Sequence, residues 1–234
     1  MNFNPAHIKV IAFDVFGTVV DWHGSICAEL QRMAVDTDAD RFVLAWRAGY
    51  APAMKAVMDN HEWVILDQLH RQILDAVLVQ FGLESMPEAE REQLNSIWHR
   101  LDPWPDSVEG LNRLKTRFKI CSLSNGNIDL LSDMAQHGSL PWDRILSAET
   151  FHKYKPDPAT YLGVAEQFQV LPGETMLAAA HHRDLAAARD CGLGTAYIER
   201  PLEFGTNNVK DVSAKPANNI HAGSIIDLAE ILGC

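Results

Sequence analysis

Four short stretches of this chain carry chemically capable side chains where the apolar pattern breaks. The run Ile8–Phe13 stops at Asp14-Val15-Phe16-Gly17-Thr18, and the run beginning at Lys119 stops at Ser124-Asn125-Gly126. Tyr154-Lys155-Pro156-Asp157-Pro158 lies further on, and a run from Thr175 ends just before His181-His182-Arg183-Asp184. Gathered in one crevice, they would supply two carboxylates (Asp14, Asp184), a hydroxyl (Ser124), an amide (Asn125) and an ammonium (Lys155). One carboxylate can attack an electrophilic carbon, and the other can manage a water proton. A lysine nearby would keep the nucleophile ionised.

Such residues need a frame. The β-branched and apolar stretches Ile8–Phe13, Lys119–Ser124, Arg144–Ser147, Thr175–Ala180 and Thr195–Ile198 read as strands. Between and after them, helical spacing covers Val108–Phe118, about Ile128–Gln136, Ala159–Phe168, Leu185–Asp190 and Ile225–Leu232, with Asp106 or Ser107 as the cap of the first. Strands alternating with helices predict a parallel sheet covered on both faces. From Ile26 to Trp98 the pattern is helical only, as at Leu66, Leu69, Ile73, Leu74, Val77 and Leu78, and the breaker cluster Asp102-Pro103-Trp104-Pro105-Asp106 closes it. Pro201–Ala222 reads as a polar loop. The expected architecture is therefore α/β: a core domain of residues 1–20 and 104–234, interrupted after its first strand by a helical insert of residues 21–103. Ligands of such sheets bind at the carboxyl ends of the strands, where the four stretches fall.

Composition narrows the partners. A net charge of −11 with no Lys/Arg run speaks against nucleic acid. A small anionic substrate would need cationic or N–H groups gathered locally. Cys27, Cys121, Cys191 and Cys234 are far apart and form no C-x-x-C pair, which reads as reduced cytoplasmic thiols and no zinc motif. No signal peptide and no run of about 18 apolar residues is visible, so a cytoplasmic protein with no membrane partner is expected.

In their order and spacing, the four stretches resemble the motifs of the haloacid dehalogenase superfamily, over essentially the whole chain, with the helical insert similar to that superfamily's cap. The resemblance implies a Rossmann-like core and a covalent intermediate on Asp14. Phosphatases of the superfamily carry Asp two residues after the nucleophile to protonate a leaving alkoxide; here that position is Phe16. A halide needs no proton to leave, only donors or positive charge to receive it. Asp184, with His181, His182 and Arg183 beside it, is also a poor oxygen cluster for Mg²⁺. The nearest likeness is thus to the type II (S)-2-haloacid dehalogenases. It implies a short 2-haloalkanoate substrate (including haloacetates such as fluoroacetate in some relatives), halide ion as a product, no metal or other cofactor, and a homodimer.

The same likeness implies roles for residues. Thr18, Lys155, Asp184 and His181 would serve catalysis with Asp14. Ser124 and the N–H groups of Val15 and Phe16 would hold the substrate carboxylate. Arg47 and Asn125 would receive the halide, and Trp46 and Tyr161 would line the site. Ala179 and His181 depart from the commoner Ser and Asn of the family, near the hydrolytic water. Each residue also has a plain structural reading: Thr18 as a cap, Arg47 as a surface arginine, Tyr161 as packing. The rival functions are an Mg²⁺-dependent phosphatase or phosphonate hydrolase, and a non-catalytic binding module on the same fold.

Overall fold

In the computed structural model, which describes residues 4–234, the chain begins with β1 (Val10–Phe13) and β2 (Val20–Asp21). Five helices follow: α1 (Trp22–Arg32), α2 (Ala39–Ala48), α3 (Tyr50–Asn60), α4 (Leu66–Gln80) and α5 (Glu88–Asn95). Then come β3 (Asp102–Pro103), α6 (Ser107–Lys115), β4 (Lys119–Ser124), α7 (Ile128–His137), β5 (Arg144–Ser147), α8 (Ala148–Phe151) and α9 (Pro158–Phe168). The chain closes with β6 (Thr175–Ala179), α10 (His182–Asp190), β7 (Gly194–Ile198), β8 (Ile220–Ala222) and α11 (Ile225–Ile231). Residues 1–3 of the expected core segment lie outside the described residues.

Six strands form one parallel sheet in the order β5-β4-β1-β6-β7-β8. Side chains alternate across a strand, and both faces of β1 are covered. Ile11 and Phe13 pack with Leu111, Leu114, Leu130 and Leu228 from α6, α7 and α11. Val10 and Ala12 pack on the other face with Tyr161, Val164, Leu185 and Ala188 from α9 and α10. Burying each large aliphatic side chain contributes about 1.5–3 kcal/mol, which is why continuous apolar runs settle as central strands. The chain leaves β1 toward β4 on one side and β6 on the other, so a crevice opens at its carboxyl end.

Helices α1–α5 stand between β2 and β3, which pair antiparallel with Val20 opposite Pro103 and Asp21 opposite Asp102. This two-residue ribbon carries both chain crossings into the helical region. All six apolar α4 residues singled out by their spacing are buried.

Three expectations change. The segment read as a loop from Pro201 contains β8, which pairs with β7. The helical stretch is bounded by the β2–β3 ribbon, too short to show as alternation. Asp106 precedes α6 without bonding it through its side chain. Its Oδ2 instead accepts the backbone N–H of Ile225 at 2.6 Å, at the start of α11, and an N–H of Arg200 at 2.9 Å. Asp106 thus ties the last helix to the core.

Candidate active site

Asp14 follows β1 directly and is buried, with its backbone N–H donating to Ala178 O. The loop after it turns sharply: the N–H groups of Thr18, Val19 and Val20 all donate to Val15 O. Gly17 supports the turn with φ +81°, a region that penalises other residues. Among the described residues, the N–H groups of Val15 and Phe16 donate to no backbone carbonyl. The Thr18 hydroxyl donates to Asp14 Oδ2 at 2.7 Å and accepts the N–H of Ala180 at 2.9 Å. The structural and orienting readings of Thr18 therefore coexist in one side chain.

Lys155 stands between the two carboxylates. Its ammonium lies 2.9 Å from Asp14 Oδ1 and 2.6 Å from Asp184 Oδ2. Burial opposes charge on Lys155, but Asp14 and Asp184 outweigh it and raise its pKa. Burial likewise pushes the Asp14 carboxyl up, and Lys155 with His181 overcomes this to hold it well below the ordinary carboxylate range. The other Asp184 oxygen, Oδ1, accepts the Tyr161 hydroxyl at 2.6 Å. Burial first, then Asp184, drives the Tyr161 pKa far up, so the phenol remains a donor. Tyr161 is part of the charge cluster as well as of the packing beneath the sheet.

His181 bridges from the loop before α10. Its Nδ1 is 2.8 Å from Asp14 Oδ2 and its Nε2 is 2.7 Å from Glu203 Oε1. Glu203 is wholly buried and also pairs with Lys210, whose ammonium further donates to Ala180 O at 2.6 Å. Burial disfavours the imidazolium, yet Glu203 and then Asp14 lift the His181 pKa to about 9. His182 points elsewhere and stacks on Tyr197.

The helical region supplies the opposite wall. Phe16 makes edge contacts with Tyr50, His70 and Trp98, so the position that could hold a second acid is an aromatic anchor. The Arg47 guanidinium lies over the Tyr50 ring at 4.2 Å, and among the described residues its buried Nε has no hydrogen-bond partner. An anion arriving there would find an uncommitted donor. Tyr50 faces the same space: burial pushes its hydroxyl up to about 12, with Arg47, Lys155, Asp14 and Asn125 acting on it. Asn125 Oδ1 accepts the N–H of Lys155 at 2.8 Å, which orients its amide, and Ser124 Oγ accepts the N–H of Gly126 at 3.2 Å.

Trp46 sits one layer back from this wall. Its indole N–H donates to His70 O at 2.9 Å and its ring meets Trp98 edge-on. Trp46 thereby braces the aromatic wall. Two open surface clefts, one of about 320 Å³ beside His182, Arg183 and Lys215, do not have Asp14 in their walls. Asp14, Lys155, Asp184, Tyr161, His181, Thr18 and Asn125 are joined by direct hydrogen bonds, with Arg47 and Phe16 facing them.

Sequence reasoning missed Glu203, Lys210, Tyr50 and His70. Tyr50 stands three residues after Arg47, a helical spacing that marks a shared face. Glu203 and Lys210 fall in a polar stretch with no periodic signal.

The comparisons with known proteins agree with this arrangement. A family profile described as haloacid dehalogenase-like hydrolase matches residues 8–192. An (S)-2-haloacid dehalogenase 4A from Burkholderia cepacia is 26% identical over 226 residues, covering 91% of this chain and 96% of the relative. The crystal structure of the defluorinating L-2-haloacid dehalogenase Rha0230 superposes with a TM-score of 0.92 at 43% identity, over 97% of this chain and 96% of that one. The L-2-haloacid dehalogenase PA0810 gives the same TM-score and identity, over 97% of this chain and all of its own. The profile and these relatives, on top of the matching α/β fold, place this chain in the haloacid dehalogenase-like hydrolase family, among the (S)-2-haloacid dehalogenases.

Proposed function

We propose that this chain hydrolyses the carbon–halogen bond of short (S)-2-haloalkanoates and haloacetates to 2-hydroxy acids through an ester on Asp14. The observation that carries this reading is Phe16. Beside the ionised carboxylate of Asp14, it puts an aromatic at the position where a phosphatase of this superfamily carries the acid that protonates the alkoxide leaving in the first step. The kinship with named 2-haloacid dehalogenases supports it.

In this mechanism, Ser124 and the N–H groups of Val15 and Phe16 hold the substrate carboxylate. An Asp14 oxygen forms a bond to the halogen-bearing carbon as the halide departs with the bonding electrons toward Arg47 and Asn125. Water then adds to Asp14 Cγ and gives its proton to Asp184. The ester C–O bond breaks, the leaving alkoxide takes a proton from Lys155, which Asp184 reprotonates across their 2.6 Å contact, and the Asp14 carboxyl releases the second water proton to solvent, restoring its carboxylate. The aromatic wall of Phe16, Tyr50 and Trp98 excludes bulk water and strengthens each charge interaction. On this reading, residues 21–103 form a cap domain hinged at the β2–β3 ribbon, no metal takes part, and the working unit is a homodimer.

The test is halide release from (S)-2-chloropropionate, chloroacetate and fluoroacetate in excess EDTA, with Asp14→Asn as the control. Release that survives EDTA and disappears in the variant supports the reading. Mg²⁺-dependent hydrolysis of a phosphate ester without halide release would replace it with the phosphatase. A single turnover in heavy-oxygen water should label Asp14 and not the product; label in the first product would rule out the ester.

A further inference from the structure

We infer that Glu203 is a positioning residue that holds His181 as a doubly protonated donor to Asp14 Oδ2, which makes Oδ1 the attacking oxygen. The inference rests on the ester mechanism above but adds a residue and a division of labour to it.

The argument starts from hydrogen-bond arithmetic. An ionised carboxylate only accepts, and a neutral imidazole can donate from one nitrogen only. His181 Nδ1 faces Asp14 Oδ2 at 2.8 Å and Nε2 faces Glu203 Oε1 at 2.7 Å. Asp14 is ionised by Lys155, and Glu203 is ionised by the paired ammonium of Lys210. Both imidazole nitrogens must therefore carry hydrogen. The surrounding charges agree: His181 faces Asp14 and Glu203 directly, with Lys155 behind the first and Lys210 and Arg200 behind the second.

Two donors then converge on one oxygen. Thr18 and His181 both donate to Asp14 Oδ2, while among the described residues Oδ1 meets only the Lys155 ammonium. The oxygen with fewer donors keeps a lone pair for attack. After Oδ1 bonds to the substrate carbon and the halide leaves, Oδ2 becomes the ester carbonyl. When water adds to Cγ and loses its proton to Asp184, the electron pair moves to Oδ2. That oxyanion develops where Thr18 and the imidazolium already donate, an arrangement prepared before charge appears. Collapse returns the pair and expels the Oδ1-linked hydroxy acid, with its proton coming from Lys155. His181 holds its proton throughout, so the base is Asp184.

The fold makes room for this at some geometric cost. Glu203 enters beneath the nucleophile loop so closely that a Cβ on Gly17 would lie 2.3 Å from its Oε1. The loop and the positioning carboxylate are built against each other.

The experiment combines ¹⁵N NMR of histidine side chains with pH–rate profiles of halide release. In wild-type protein at pH 7.5, both His181 nitrogens should report imidazolium, and a neutral ring would overturn the inference. Glu203→Gln, nearly isosteric, should move the alkaline limb of kcat and the His181 titration down by about 1–2 pH units. Lys210→Met, which removes the ammonium that keeps Glu203 ionised, should move both in the same direction as Glu203→Gln. A purely structural role predicts lower thermal stability with neither limb displaced, and limbs that stay fixed or move in opposite directions would overturn the inference. Should the wild-type enzyme release no halide, the dehalogenase reading fails, while the NMR titrations of all three proteins still decide the protonation of His181.

Discussion

The Tyr161 hydroxyl donates to Asp184 Oδ1 at 2.6 Å, on the carboxylate oxygen opposite the one that Lys155 holds. Asp184 is thereby clamped from two sides, and its plane relative to Asp14 is set before any water arrives. Tyr161→Phe removes one clamp and leaves the packing beneath the sheet. A hydrogen bond to a charged group contributes about 1.5–3 kcal/mol, so the hydrolytic step should slow by about 10–100-fold. Rapid-quench kinetics should show a halide burst followed by slow hydroxy-acid release. Equal slowing of both phases would assign Tyr161 to the first step instead.

Arg47 should be intolerant of lysine. A guanidinium covers the Tyr50 ring at 4.2 Å and offers donors in a plane, whereas an ammonium is a compact point charge. Arg47→Lys should lower halide release by about 10²-fold, the scale for losing a donor at developing charge. Comparing fluoroacetate with chloroacetate would show the larger loss for fluoride, the poorer leaving group.

Stability should fall on both sides of a plateau. The Glu203 pKa is lowered to about 2 by His181 and Lys210 against its own burial, and Asp14 is depressed as well. Their contribution is complete above the ordinary carboxylate range, about 4, and is lost as pH falls. His181 is raised from 6.5 to about 9, so its contribution is complete below 6.5 and is lost as pH rises through 9. Thermal melting across pH 3–10 should therefore be flattest near pH 5–6.5, and His181→Gln should flatten the alkaline decline. An unchanged alkaline slope in that variant would locate the titrating group elsewhere.

Phe16→Asp should not create a phosphatase. It removes an aromatic that touches Tyr50, His70 and Trp98, and places a second buried carboxylate near Asp14. Loss of a buried Phe costs about 3–5 kcal/mol. A large drop in melting temperature with no Mg²⁺-dependent phosphate ester hydrolysis is expected.

Much of the site was legible because strand ends announce it: Asp14, Ser124 and His181 each follow a buried apolar run. Lys155 and Asp184 were legible through motif spacing. The remainder was not, for physical reasons. Glu203 acts across space on His181 from a polar stretch, and nothing local distinguishes a buried glutamate from a solvated one. Strand β8 is three residues long and gains its identity only by pairing with β7. Asp106 reads locally as a cap for α6, but its better donors, Ile225 and Arg200, are distant in sequence. Trp46 lies beside Arg47 in the chain, yet neighbours on a helix point about 100° apart, so one faces the pocket and the other the interior.

Phe16 also bears on how such enzymes change their chemistry over evolutionary time. The residue that withholds a general acid is the same residue on which the helical region seats its aromatic wall. A lineage moving from carbon–halogen to phosphate ester cleavage could not exchange this position alone. Its neighbours at 50, 70 and 98 would have to be rebuilt first, through sequences whose closed site is poorly packed. Reaction type and closure of the site are inherited together, and that linkage would keep descendants of this chain within one kind of bond cleavage.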